Sequence, residues 1–338
     1  MEIRKLQKIR GGSFTLTLPK KWVEERRLTS GEQIAVSEEE DGSLRLYPLM
    51  AAVEEPLKVT LSLEDHPDLT ALEYCVGTYY IQGSSQINIV CQKIIPAEQK
   101  RRLKQLRMEL PGVEVAEESA NKLSFQVLID PTTFSLESLI EKTSSFSLHL
   151  QEDAVKSVLD WNFALAKEVL ERSREAQRHY RMTIRQVALS SMNRVIAEKV
   201  GVKNCRECIT FALIARDLSR LVYHSSSIGR HILSLEGKKK ANPEILRVIA
   251  EMSEIAYEMQ REAVQGFLQR NVQLAIDVFG KMGFMREKEE ALLKKILEKT
   301  KDVDTAVALS MIARDLRRIA GYAVAVADDA MNRVLTPA

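Results

Sequence analysis

The chain has 338 residues, 45% of them apolar, with four cysteines and a formal charge of +2. This size predicts two or three domains with real cores, and the near-neutral charge excludes a chain basic throughout, so any nucleic-acid surface must be local. Four cysteines are too few for a disulfide framework, no stretch approaches the roughly 18 apolar residues that span a bilayer, and MEIRKLQKIR lacks the apolar centre of a signal peptide; the expectation is a cytoplasmic protein without direct membrane insertion.

Residues 1–27 hold a local basic excess, Arg4, Lys5, Lys8, Arg10, Lys20, Lys21, Arg26 and Arg27 against Glu2, Glu24 and Glu25. After the Gly11-Gly12 turn, Ser13 to Leu18 alternates with period two and predicts a half-buried strand. Pro19 ends it and can open a short helix, Lys20 to Arg27. Gln33 to Glu38 and Ser43 to Tyr47 predict a hairpin about Asp41-Gly42. So little apolar material leaves a monomeric unit without a core, and pairing with a second copy would supply one.

Ile9-Arg10-Gly11-Gly12, Leu16 to Lys20, Leu28, Gly31-Glu32, Asp41-Gly42 and Leu44 to Leu46 resemble the pattern of the AbrB/SpoVT swapped-hairpin DNA-binding domain, over nearly all of residues 3–48. The resemblance implies a homodimer with interleaved strands and basic residues facing a DNA duplex. It assigns Arg4, Lys5, Lys8 and Arg10 as phosphate or base contacts, with Lys20 and Lys21 beside them. The chemistry agrees, since arginine grips phosphate or guanine with two donors and lysine releases counterions. A solvated basic edge that merely blocks strand aggregation is the competing explanation.

From Ala52 to Leu150 strands and helices alternate. Strands are expected at Leu57–Leu61, Ile87–Cys91, Val113–Val115 and Leu123–Ile129, and helices at Asp68–Tyr80, Pro96–Leu110 and Leu136–Phe146. The order βαβαββα predicts a small α/β sandwich with helices on one face of the sheet. Lys100, Arg101, Arg102, Lys104 and Arg107 are expected on a solvated helix face, and Gly83-Ser84-Ser85 as a plain turn.

From Gln151 onward nearly everything has helical period, including one uninterrupted helix over Ala154–Met192. The half is duplicated. Ile214-Ala215-Arg216-Asp217-Leu218-x-Arg220 returns 98 residues later as Ile312-Ala313-Arg314-Asp315-Leu316-x-Arg318, and Leu165-Ala166-x-x-Val169 is echoed by Leu274-Ala275-x-x-Val278. Around the first repeat, Phe211, Ile214, Leu218, Leu221, Ser225, Ile228 and Ile232 line one helix face; Leu309, Ile312, Leu316, Ile319, Ala323, Val326 and Ala330 do so in the second. Gly237 to Pro243 is the expected link between two three-helix units.

Ala215, Asp217, Leu218, Arg220, Leu221 and His224, then Ala313, Asp315, Leu316, Arg318 and Ile319, resemble the hallmark helix of the PhoU family of phosphate-uptake regulators, which occurs once in each of two bundles. That family's E-x-x-x-D carboxylates would hold metal clusters, but Ser219 and Tyr223, then Arg317 and Gly321, stand at those positions here. A second acidic cluster is reduced to Glu171 and Glu175 in the first unit, and Gly280 to Phe284 carries no carboxylate in the second. The architecture is therefore expected without a metal or other cofactor.

Catalytic patterns are also missing. His224 and His231 lie seven apart on one helix without patterned carboxylates beside them, Ser225-Ser226-Ser227 sits mid-helix, and Cys205-x-x-Cys208 has no second pair. The expected fold is multidomain: an AbrB-like swapped-hairpin β domain over 1–50, a small α/β domain over 51–150, and PhoU-like three-helix units over 151–237 and 238–338. The expected function is a non-enzymatic, phosphate-responsive regulator that binds DNA and docks on a phosphate transporter or phosphate-signalling protein. An adaptor that restrains such a partner without touching DNA is the alternative; a metal-dependent phosphatase is a third class, disfavoured by the lost carboxylates.

Overall fold

The computed structural model describes residues 3–38, 42–48 and 57–335, and the chain divides into two units, 1–56 and 57–338. In the first, Gly11 and Gly12 take φ of +110° and +94°, a region that side chains with a Cβ avoid. The reversal pairs strand β1 (Gln7–Lys8) antiparallel with β2 (Phe14–Thr15). The strand expected over Ser13–Leu18 is thus only two residues long, because Leu16 to Leu18 meet no ladder partner among the described residues. Helix α1 (Lys20–Glu25) follows Pro19, and β3 (Ile34–Glu38) pairs antiparallel with β4 (Leu44–Pro48). Asp41 of the expected turn lies outside the described residues. No described residue of this unit is buried.

The second unit begins with a four-stranded sheet of order β5-β6-β8-β7, built from β5 (Lys58–Ser62), β6 (Gln86–Val90), β7 (Val113–Glu118) and β8 (Lys122–Val127). Only β5 and β6 run parallel, because helix α2 (Leu69–Ile81) carries the chain back between them. Helix α3 (Ala97–Gln105) follows β6. Leu61, Ile87, Ile89, Leu123 and Phe125 bury one face of the sheet with Leu72, Val76 and Tyr80 of α2 and Leu103 of α3. The other face is a polar ladder in which Ser124 donates to Asn88 at 2.7 Å. The cations of α3 lie on an exposed face, as expected, and two of them also pair with carboxylates. Arg102 forks onto Glu73 with Nε 2.6 Å from its Oε1, and Lys104 meets Glu118 at 3.0 Å.

Six long helices complete the unit. Helices α4 (Leu136–Asp160), α5 (Phe163–Met192), α7 (Cys205–Leu233), α8 (Pro243–Gln269), α9 (Val272–Lys299) and α10 (Val303–Val334) start at Ser135, Asn162, Asn204, Asn242, Asn271 and Asp302. Each of these side chains accepts a hydrogen bond from an amide of the first turn, the preferred way to satisfy donors left over at a helix start. A short helix α6 (Arg194–Val200) separates α5 from α7. Two sequence expectations are corrected. The helices expected at Leu136–Phe146 and Ala154–Met192 are instead α4 and α5, divided at Trp161, whose φ of 59° ends α4, and at Asn162, which caps Leu165 at 3.0 Å. The chain position between 150 and 151 therefore lies inside α4.

Helices α4, α5 and α7 pack on one another, as do α8, α9 and α10, and the two sets join through α7 against α10 and α4 against α8. Their apolar stripes share one core. Gly229 of α7 permits close approach of α5, since a Cβ there would lie 3.3 Å from Val169.

The α/β layer is fastened to the helices by α5. Arg185 is buried, stacks 4.8 Å from the Tyr80 ring and donates to the carbonyls of Tyr80, Gly83 and Ser84, the last at 3.0 Å. It thereby satisfies the C-terminal end of α2, and the expected plain turn at Gly83-Ser84-Ser85 becomes its socket. Gln186 adds a bond to the Phe134 carbonyl at 2.6 Å. Replacing Arg185 by Ala leaves the Gly83 and Ser84 carbonyls without this donor and is expected to cost about 2–4 kcal/mol, visible as a lower urea midpoint with an early transition of the α/β layer.

Candidate nucleic-acid interface and helical seam

Lys8 lies in β1 directly opposite Phe14, and Arg10 lies in the turn that follows. Arg4 and Lys5 precede β1, and all four are exposed. This hairpin end therefore gathers Lys8 and Arg10. Lys20 and Lys21 sit on α1, where Glu24 and Glu25 lie 3.5 and 3.7 Å from their ammonium groups. Those two pairs are largely exposed and weak, yet they reduce the positive field that α1 offers a phosphate.

The duplicated stripe of the second unit produces a different site. Asp217 of α7 and Asp315 of α10, equivalent in the repeat, are both buried where the two helices meet. His224 Nδ1 lies 2.8 Å from Asp315 Oδ1, so that nitrogen carries a proton and donates it. His231 Nε2 lies 3.3 Å from Asp315 Oδ2 and 3.3 Å from Ser227 Oγ. Tyr322 stacks on His224 with centroids 5.6 Å apart. The repeat turns His224 into Tyr322 and His231 into Asp329. On the opposite side Asp217 therefore faces the charge of Asp329 instead of an imidazole, and Arg216 answers it at 2.9 Å.

The sequence reading that no carboxylate attends the histidines is thus corrected: Asp315 arrives from α10. The available signal was the spacing of seven between His224 and His231 on a helix bearing a duplicated aspartate. The cluster is not a catalytic triad, because Ser227 and Asp315 meet the same nitrogen of His231, whereas a relay needs them on opposite nitrogens.

The two sides titrate differently. Burial pushes the Asp315 carboxyl up, but the hydrogen bond from His224, with His231 and Ser227 close by, outweighs it and holds the group below its ordinary value. Burial pushes Asp329 up to about 7, with Asp217 and Asp328 adding repulsion, and its Oδ2 has no hydrogen-bond partner.

At the positions where a PhoU pattern would place metal-binding carboxylates, Tyr223 is exposed under Arg230, and Arg317 Nε lies 2.8 Å from Glu289. Gly321 offers no side chain. A guanidinium already holding a carboxylate cannot ligate a cation, so these residues do not fit a metal cluster. Among the described residues no three His, Cys, Asp or Glu side chains converge as a metal site. Cys205 opens α7 exposed, while burial pushes the Cys208 thiol up to about 11, far from a reactive thiolate. No described helix is long and apolar enough to cross a membrane.

The fold thus defines a class: paired three-helix units sharing a charged seam, preceded by a small α/β layer. The family model for the PhoU domain matches residues 249–330, which lie in α8, α9 and α10. The Thermotoga maritima protein named phosphate-specific transport system accessory protein PhoU homolog 1 is 24% identical over 184 residues, spanning 51% of this chain and 73% of that protein. The crystal structure of PhoU from Pseudomonas aeruginosa superposes with a TM-score of 0.51 at 18% identity, covering 59% of this chain and 95% of that one. The phosphate transport system regulatory protein PhoU from Streptococcus pneumoniae gives 0.49 at 16% identity, covering 58% and 91%. The family model and the curated relative make the helical part similar to PhoU proteins, and the Pseudomonas aeruginosa superposition shows the fold of that part.

Because the folded-state value of Asp329 lies above the ordinary 3.8, its contribution is complete below about pH 4 and is lost as pH rises toward 7. Asp329→Asn is expected to remove that loss, which is at most about 4 kcal/mol. Urea midpoints on the two sides of neutrality check it: the variant should be more stable than the parent chain in mild alkali, and the difference should shrink in acid.

Proposed function

We propose that the chain is a dimeric, phosphate-responsive regulator of the archaeal PhoU type, with an AbrB/SpoVT-like swapped-hairpin front end that binds DNA. The observation that carries the reading is the state of the first unit. It has two separate hairpins and no buried described residue, while Ile3, Leu6, Phe14, Leu16, Val36 and Leu44 are exposed. Such a unit gains a core when strands of a second copy interleave with it, and a two-fold pair doubles the basic edge of Arg4, Lys5, Lys8 and Arg10. On this reading residues 1–50 dimerise and contact DNA. The helices, following the names borne by the relatives, serve phosphate-transport regulation by docking on a transporter or a signalling partner in the cytoplasm.

Changing Arg4, Lys8 and Arg10 together to Ala tests the proposal. Duplex affinity should fall, and the slope of log K against log salt should flatten by about 0.9 for each DNA phosphate that is no longer neutralised. Gel-shift titrations of the full chain over a salt series measure both. Unchanged affinity and slope would leave the front end as a dimerisation device and favour the adaptor reading.

A further inference from the structure

The N-terminal turn of α7, the α8–α9 turn and the last turn of α10 enclose a cavity of about 260 Å³, lined in part by Lys203, Arg206, Glu207, Thr210, Arg270 and Arg333. The lining holds four cations and the Glu207 carboxylate, which is already engaged; Glu137, outside the lining, also pairs with Arg333. Glu207 Oε2 accepts from the backbone N–H of Lys203 at 2.7 Å, while its Oε1 takes Arg270 Nη2 at 3.0 Å. Arg333 has a fully buried side chain, fixed 4.9 and 4.6 Å from the Phe211 and Phe267 ring centroids and bonded to the Phe267 carbonyl at 3.0 Å. Its Nε is buried without a hydrogen-bond acceptor and lies 3.8 Å from Glu207. The side chains of Lys203 and Arg206 form no ion pair among the described residues.

The repeat supplies an internal control. At the equivalent start of α10, Asn204 becomes Asp302 and Arg206 becomes Asp304, and both acids are closed by Lys238 at 2.9 and 3.0 Å. One copy therefore neutralises its helix start, while the other surrounds it with guanidinium and ammonium groups. The positive end of the α7 dipole adds to that field.

We propose that this pocket binds a phosphate group, either free inorganic phosphate or the phosphate of a small monoester. Arg206 and Lys203 supply mobile charge at the rim, Thr210 adds a hydroxyl that donates to the Arg206 carbonyl at 3.3 Å, and the buried Arg333 adds positive charge behind them, its terminal nitrogens held by Glu137 and the Phe267 carbonyl. The cavity exceeds the size of one phosphate, which leaves room for an organic portion. The site stands apart from the hairpin basic residues, so its test is read without DNA.

Isothermal titration of the full chain with inorganic phosphate, and separately with glucose 6-phosphate, at constant ionic strength set with chloride, tests the assignment. Binding of either probe by the parent chain supports it, and the tighter of the two identifies the source. Lys203→Ala combined with Arg206→Ala should weaken binding roughly ten- to hundredfold. Both residues are exposed, so an unchanged melting temperature without ligand will verify folding. Arg206→Asp, which reproduces the charge at the equivalent position of the second copy, should abolish binding, whereas Lys239→Ala with Lys240→Ala on the α7–α8 link should have no effect. Absence of binding by the parent chain, or equal binding by the parent and Lys203/Arg206 variants, overturns the proposal.

Discussion

A carboxylate buried between two helices must be answered by a donor or a proton, because leaving it charged and unpaired costs several kcal/mol. The helical half meets that requirement twice, since the duplicated stripes carry Asp217 and Asp315 into the α7–α10 contact. Two imidazoles and a serine surround one, and Arg216 answers the other beside a carboxyl that burial keeps about half protonated near neutrality. These partners meet only in one register of α7 against α10. A slide by one helical turn would bury Asp315 without His224 or His231, so polar chemistry specifies the register while apolar area supplies the adhesion.

The two units are governed by opposite rules. In residues 57–335 short apolar contacts close into cores and polar links such as Arg185 join the layers. The first unit buries none of its described residues. Hairpins of this length cannot hold themselves together by area, so on the proposed reading their order comes from another copy, and dimer formation and duplex recognition become one event.

Much of this was legible in the chain. Period and capping residues located the strands of the middle layer and the starts of its helices to within a few positions, and the repeat Ile-Ala-Arg-Asp-Leu marked α7 and α10. The division of α4 from α5 was missed because Trp161 adopts the left-handed conformation usually left to glycine or asparagine. The cue was nevertheless present: Asn162 and Asn271 each stand three residues before the echoed leucine, Leu165 and Leu274. The Asp315 cluster was signalled only by the spacing of His224 and His231, and the α7 pocket not at all, because each collects side chains separated by scores of residues and no local period encodes such meetings. The basic hairpin was legible as composition; its geometry beyond Lys8 and Arg10 depends on a second chain.

Helix α6 has no equivalent in the second set, and the spacing between copies accordingly drops from 109 residues at Asn162 and Asn271 to 98 at Asn204 and Asp302. Two identical subunits related by a rotation axis must place the same groups on both sides of it. Tandem linkage within one polypeptide removes that obligation. Each half was then free to drift, so that a single molecule carries an imidazole-rich face and a carboxyl-rich one, a closed helix start and an open cationic one, which no assembly of interchangeable halves could offer at once.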